Sequence, residues 1–412
     1  MDREHAMSDD APRTRSAGLR PRICFVVSSP MTAEAFLTEN IRALSERYQV
    51  DLVLNADPGS IQHPDLRRAR IHRARIVREI SPLADLKALI ELLRILKRGQ
   101  YSAVHSLTPK AGLLTALAGF IARVPIRVHT YTGQVWATRR SAGRWGLKQL
   151  DRLIARLNTH LLVDSRSQRE FLRAEGVLRP SQGDLIGNGS VCGVDPQRFK
   201  PGATPRARIR AELEIPQSAL VFLFVGRLNR DKGVFELASA FDEVAGTRED
   251  LHLVLVGPDE DALAPQVERL CAASASRLRF VGWTDEPECY MAASDVFCLP
   301  SHREGFGSVI IEAAAAGLPS IGSRIYGIVD AIDEGETGLL FEAGNVPQLV
   351  SAMRRMADDD GLRKDLAGAA RTRALRDFSR ESLTAAFLSF YERALEPIKR
   401  EREQERLRSD FD

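Results

Sequence analysis

Short apolar runs recur along the chain, and between them apolar residues return every three or four positions. The first pattern is that of strands buried on both faces, the second that of helices packed by one side. In the first half the runs are RICFVV (22–27), VDLVLN (50–55), a short one around 71–77, AVH (103–105), IRVHT (126–130) and THLLVDS (159–165). The alternation restarts in the second half with LVFLFVG (220–226), LHLVLVG (251–257), RLRFVGW (277–283), VFCLPS (296–301) and SIGS (320–323). Strand and helix in strict alternation predict an α/β chain with parallel sheets, here two Rossmann-like doubly wound domains. Residues 21–200 form the first and 201–380 the second, joined by the proline-bearing linker Asp195–Arg208. Residues 1–20 read as a disordered tail. Residues 381–412 read as a terminal helix, expected to cross back onto the first domain, with a charged and frayed end. The stretch from Ser28 to Tyr48 reads as one helix, and the first strand runs into Ser28-Ser29-Pro30 without GxGxxG, which argues against a nicotinamide enzyme.

The stretch Ser301–Ser323, SHREGFGSVIIEAAAAGLPSIGS, carries the strongest chemical signal. A strand ends in Pro300-Ser301, Gly305 and Gly307 bracket Phe306, and Ser308 opens a helix stopped by Gly317 and Pro319. Strand, glycine turn and helix place unpaired N–H groups and the positive helix end at the carboxyl edge of a sheet, where an anion belongs. Glu304 precedes this helix, and Glu312 lies one turn inside it in an otherwise apolar stripe. There a carboxylate is either satisfied by neighbouring groups or accepts hydroxyls from a sugar or ribose.

GRLNRDKG (226–233) follows the first strand of the second half. Gly226, Arg227 and Lys232 therefore stand at the same crevice edge, where two cations can hold a diphosphate and stabilise its charge as it departs. His129 ends a strand of the first half and is either a satisfied structural histidine or a ligand contact. Trp283 and Thr284 could wall a base ring. Asp259-Glu260-Asp261 reads as a solvated turn and Asp358-Asp359-Asp360 as a helix cap.

Composition narrows the class. The 412 residues are 44% hydrophobic and 27% charged, with no apolar run of membrane-spanning length and a polar first segment, so a cytoplasmic protein is expected. Five scattered cysteines show no metal or disulfide spacing. The net charge of +3 conceals an imbalance: residues 1–200 hold 32 Lys and Arg against 19 Asp and Glu, and residues 201–412 hold 26 against 36. A basic first half suits an anionic partner such as a phosphorylated acceptor or the inner membrane leaflet. No RNA-reading aromatic motif supports nucleic acid.

Glu304 and Glu312 with GFG between them, the GRLNRDKG loop, HSLTPKAG (105–112), RVHTYTGQVW (127–136), LLVDSRSQREFL (161–172) and GNGSVCGVDPQRF (187–199) resemble the GT4 family of glycosyltransferases over about residues 22–390. The similar branch extends undecaprenyl-diphosphate-linked amino sugars of capsule, O-antigen and N-glycan with UDP-N-acetylhexosamines. The resemblance implies the GT-B fold, two domains facing across a cleft, and a retaining, metal-independent reaction with no cofactor beyond the UDP-sugar substrate. It implies that Glu304 faces the donor sugar, Glu312 the ribose and His129 the reacting carbon. Arg227, Lys232, Gly305, Phe306, Gly307 and Ser308 would hold the rest of the donor. Lys110, His105 and Arg78 are the acceptor-side candidates, with a lipid-linked saccharide bound peripherally at the inner face of the plasma membrane through the basic half and the helix near Trp145–Leu157. The glycine pair that many members carry after the first strand is absent here. A nucleotide-sugar epimerase or hydrolase on the same fold, and a non-catalytic binding protein, are the other classes open to this pattern.

Overall fold

The computed structural model describes residues 20–77 and 81–409; the tail read as disordered therefore lies, apart from Arg20, outside the described residues. Two fully parallel sheets organise it. The first contains β1 (Arg22–Val26), β2 (Gln49–Leu54), β3 (Arg70–Arg73), β4 (Ala103–Ser106), β5 (Ile126–Tyr131), β6 (His160–Val163) and β7 (Asp184–Leu185), in the order β3-β2-β1-β4-β5-β6-β7. The second contains β8 (Leu220–Val225), β9 (Leu251–Val256), β10 (Leu278–Gly282), β11 (Val296–Leu299), β12 (Ser320–Ser323) and β13 (Gly338–Phe341), in the order β10-β9-β8-β11-β12-β13. Ile23 to Val26 and Leu220 to Phe224 are buried throughout, as strands covered by helices on both faces require.

Each sheet reverses its winding beside its first strand, β1 against β4 and β8 against β11. At such a switch point the flanking connections leave in opposite directions and open a crevice at the carboxyl ends. Here the loops after β5 and β6 meet the loop after β11: Ser165 Oγ donates to the Gly305 carbonyl at 3.2 Å, and Arg303 donates to the Gly133 carbonyl at 3.4 Å. The helix Val234–Ala245 leads from β8 to β9 and the helix Ser308–Ala315 from β11 to β12, in opposite directions along the sheet. Right-handed crossovers place these two helices on opposite faces. That separation organises the site.

Two local readings change. The segment after β1 is not one helix but two, Pro30–Phe36 and Thr38–Ser45; Ser29 caps the first, and Leu37, at φ −115° and ψ −10°, breaks the run. The linker is shorter than its prolines suggest, because Ala203–Glu212 is helical and belongs to the second domain. Arg210 is fully buried there, donating to the carbonyls of Ala293, Pro216, Gln217 and Ala219 and pairing with Asp295 at 2.8 Å. A guanidinium has five donors, enough to pin a strand end from inside.

The terminal helix Arg380–Ser409 starts against the second domain, where Arg380 pairs with Asp195, and runs onto the first. Phe387, Phe390, Tyr391 and Leu395 enter the hydrophobic core beneath β1 and β4, and Glu392 pairs with Arg47. The charged end read as frayed continues the helix to Ser409.

Candidate active site

The glycine turn does what its sequence suggests. Gly307, at φ 71° and ψ 50°, turns the chain into the helix Ser308–Ala315; Ile310 N donates back to the Gly307 carbonyl at 2.8 Å, which leaves the N–H groups of Ser308 and Val309 for a ligand. Ser308 Oγ lies 3.4 Å from Ser190 Oγ of the GNGS loop, so the helix start faces the first domain. Phe306, expected among the donor contacts, does not present its ring: it is 2% exposed and packs on Phe378 at 5.1 Å. Only its main chain remains for a ligand.

Lys232 and Glu304 form a direct ion pair, and Ser301 Oγ donates to the same Glu304 oxygen at 2.8 Å. Gly233 makes this possible: it sits at φ 69°, and a Cβ there would lie 2.1 Å from the Pro300 carbonyl oxygen, so the lysine loop is pressed against the end of β11. Arg227 shares that loop but pairs with Glu260 at 2.8 Å rather than with either glutamate of the signature. The Asp259–Asp261 triplet is accordingly more than a solvated turn. Glu260 orients Arg227, and Asp259 accepts from the N–H groups of Leu263 and Ala264 at 2.7 and 2.9 Å. Asp359 caps its helix as read, accepting from Leu362 N at 2.8 Å. Trp283 lies 64% exposed just after β10, at the edge of the second sheet.

Glu312 decides between its two readings. No backbone or hydroxyl donor reaches its carboxylate among the described residues, so it is not internally satisfied. Burial pushes it up to about 7, with Arg198 and Arg380 drawing it back and Glu288 adding to the rise. A half-enclosed acceptor without a donor is arranged to receive one.

His129 and His105 end neighbouring strands and differ in use. His129 is 2% exposed; its Nδ1 lies 2.9 Å from Ser106 Oγ and its ring meets Tyr131 edge-on at 4.7 Å. A Cβ on Gly112 would come within 2.4 Å of its Cε1, so the glycine of TPKAG makes room for this ring. Burial holds His129 down at about 3, neutral throughout the physiological range. His105 is not an acceptor contact: it is 1% exposed, with Nδ1 at 2.8 Å from Tyr391 Oη and Nε2 at 2.7 Å from Thr130 Oγ1. Both nitrogens are spent on tying the terminal helix to β4 and β5. Lys110, in the first turn of the helix after β4, pairs with Asp85 at 2.6 Å, and Arg78 lies outside the described residues.

Residues 205–373 match the family model described as Glycosyl transferases group 1, and residues 32–189 match the Glycosyl transferase 4-like domain. The chain is 30% identical over 290 residues to the UDP-Gal:alpha-D-GlcNAc-diphosphoundecaprenol alpha-1,3-galactosyltransferase of Escherichia coli, spanning 69% of this chain and 73% of that protein. The chain belongs to the GT4-type glycosyltransferases. It is also 25% identical over 316 residues to the capsular polysaccharide biosynthesis glycosyltransferase CapM of Staphylococcus aureus, 76% of this chain and 82% of that one. Solved structures confirm the GT-B fold: a sucrose-phosphate synthase of Thermosynechococcus elongatus superposes with TM-score 0.76 at 22% identity over 92% of this chain and all of its own, and Anabaena Alr3699/HepE, solved with UDP and glucose, with 0.75 at 20% over 90% and 99%.

Several residues of the glycosyltransferase cleft were not singled out from sequence. Asp164, directly after β6, is buried at the domain junction with Oδ1 unpartnered, and burial holds its carboxyl well above the usual carboxylate range. Ser167 donates through N and Oγ to Asp330 of the second domain and accepts from Gly327 N at 2.8 Å. Tyr326 stacks on Phe171 at 4.4 Å, and Phe171 in turn on Trp136 at 5.3 Å. These contacts clamp the helix start after β6 onto the segment Tyr326–Asp330 that follows β12. The helix-start serine of DSRSQ is the one signal that could have flagged them.

Proposed function

We propose that this glycosyltransferase moves a sugar from a UDP-sugar to a polyprenyl-diphosphate-linked saccharide, with retention of configuration and without a metal. The observation that carries the reading is the Lys232–Glu304 pair set beside the open start of the Ser308 helix, with Glu312 left without a donor one turn further in. A nucleoside diphosphate sugar answers each feature: ribose hydroxyls for Glu312, diphosphate for the helix N–H groups and Lys232, sugar for Glu304. The relative from Escherichia coli is named for UDP-Gal and a diphosphoundecaprenol acceptor, and the Anabaena neighbour was solved with UDP, which supports these classes.

In the reaction the bond from the anomeric carbon to the phosphate oxygen breaks, and a bond to an acceptor hydroxyl oxygen forms on the same face. The hydroxyl proton passes to the departing phosphate. His129, neutral and held near 3, is too weak a base for that proton and suits a positioning contact. Lys232 and Arg227 would stabilise the UDP leaving group. A thermal-shift panel of UDP-, GDP- and ADP-sugars is expected to show stabilisation by UDP-sugars alone. UDP-galactose and the UDP-N-acetylhexosamines are its decisive arms, because the related branch uses the latter. Added EDTA is expected to leave acceptor-dependent UDP release unchanged; a rate abolished by EDTA and restored by a divalent ion would overturn the metal-free mechanism. UDP released equally well without lipid acceptor would favour a hydrolase.

We also propose docking at an anionic membrane surface through the first domain. No described helix is long and apolar enough to cross a membrane. Leu83, Leu86 and Ile90 form an exposed stripe on the helix Pro82–Gly99, and Trp145, 68% exposed, tops the helix Ser141–Leu157. Exposed Lys87, Arg94 and Lys97 accompany that stripe. Leu83→Glu with Leu86→Glu is expected to lower binding to phosphatidylglycerol vesicles roughly tenfold, about 1.4 kcal/mol of lost apolar insertion, by co-sedimentation.

A further inference from the structure

Beside the Lys232–Glu304 pair a hollow of about 480 Å³ opens across the domain gap, lined by Thr138 from the first domain and by Arg230, Asp231, Phe235, Glu236 and His302 from the second. Its size lies within the ~300–1,000 Å³ of small-molecule sites. Arg230 and Asp231 immediately precede Lys232, and His302 comes two residues before Glu304, so the hollow borders the proposed reacting centre. It lies at the start of the helix Val234–Ala245, whereas Glu312 belongs to the helix Ser308–Ala315 on the opposite face of the sheet. The proposed nucleotide end and this hollow thus flank the Lys232–Glu304 pair from two sides.

The charges of the lining are largely spent on one another. Glu236 Oε1 lies 2.9 Å from His302 Nε2, Asp231 accepts from Arg303 at 2.8 Å, and the Arg230 guanidinium sits over the Phe235 ring at 5.6 Å. A diphosphate would meet two carboxylates there. A neutral group rich in hydroxyls would meet acceptors on Glu236 and Asp231, donors on Arg230 and Thr138, and an aromatic edge.

We propose that this hollow seats the terminal sugar of the acceptor, the ring whose hydroxyl receives the transferred glycosyl group, and that Glu236 and His302 determine which sugar is accepted. The proposal rests on the glycosyl-transfer reading of the Lys232–Glu304 site. It places the acceptor ring mainly against the second domain, leaving its lipid diphosphate to the basic first domain.

Two variants test it in the full-length protein. Thr138→Trp fills the hollow from an exposed position, and Glu236→Gln keeps the shape while removing the carboxylate. Donor affinity is read by calorimetry with the UDP-sugar giving the largest thermal shift. Acceptor KM is read by UDP release with a panel of undecaprenyl-diphosphate monosaccharides that includes the GlcNAc form. The expected result is an acceptor KM raised at least tenfold in both variants, with donor Kd within twofold of wild type. Unchanged acceptor KM in both, with wild type active, would overturn the subsite and leave the transfer reading standing. A donor Kd weakened in parallel would reassign the hollow to the donor. Wild-type protein that releases no UDP with any member of the panel would overturn the transfer reading and the subsite together.

Discussion

Replacing Lys232 with alanine is expected to lower acceptor-dependent turnover by two to three orders of magnitude, about 3–4 kcal/mol at the transition state, while the apo protein keeps its fold. The lysine is the cation that the structure brings onto Glu304, and the proposed chemistry needs a positive charge beside the leaving diphosphate. Its removal leaves Glu304, only 14% exposed, with the Ser301 hydroxyl, so a loss of stability is expected beside the loss of turnover, and the melt measures it. Arg227, committed to Glu260, is a weaker substitute, and Arg227→Ala is expected to cost less. Steady-state UDP release and a thermal melt are sufficient. Near-native turnover in a well-folded Lys232→Ala protein would remove the leaving-group role.

Glu312→Gln is expected to move stability and affinity in opposite directions. In the apo protein the carboxylate is half-buried with no protein donor among the described residues, and burial raises its pKa above the unfolded value, to about 7. The folded state therefore binds more protons than the unfolded one between the ordinary carboxylate range and neutrality. Stability from this group is full below that range and lost as pH rises through 7. At pH 8 the glutamine, carrying no charge, should raise apo stability by about 1 kcal/mol, roughly 2–4 °C in Tm, and little at pH 5. The same change should weaken UDP-sugar binding roughly ten- to a hundredfold, the worth of a hydrogen bond to a charged group. Wild-type affinity should also fall as pH drops below 7, and the variant should lose that dependence. A glutamine variant that binds donor as tightly as wild type at pH 8 would take Glu312 out of the site.

How much of this was legible beforehand depends on whether the signal was local. Most strands, the glycine turn and the cap at Asp359 each follow from a few consecutive residues and stand where the sequence puts them; β3 is shorter than read, and β7 and β13 were not read as strands. The Lys232–Glu304 pairing was within reach too, since both loops follow strand ends that a switch point makes neighbours. What escaped required distant partners. His105 looked like a ligand contact because nothing nearby shows that Tyr391 and Thr130 will take its two nitrogens. Arg210 was not singled out, because the Ala293 carbonyl and the Asp295 carboxylate that hold it lie far along the chain. Phe306 sat in a binding motif, yet its side chain answers to Phe378 and only its backbone to the turn. Asp164 became conspicuous only when a second domain closed over it.

The terminal helix limits how this molecule can be cut and built. Phe387 stacks on Phe25 and His105 and Tyr391 packs against both at an angle, so the first domain's core is completed by residues from far along the chain. A fragment ending near residue 200 would expose that apolar seam, and a chimera that exchanges only the first two hundred residues with a relative would pair one protein's socket with another's plug. During synthesis the same seam stays open until residues 387–395 leave the ribosome, which makes the first domain the later of the two to close even though it is made first.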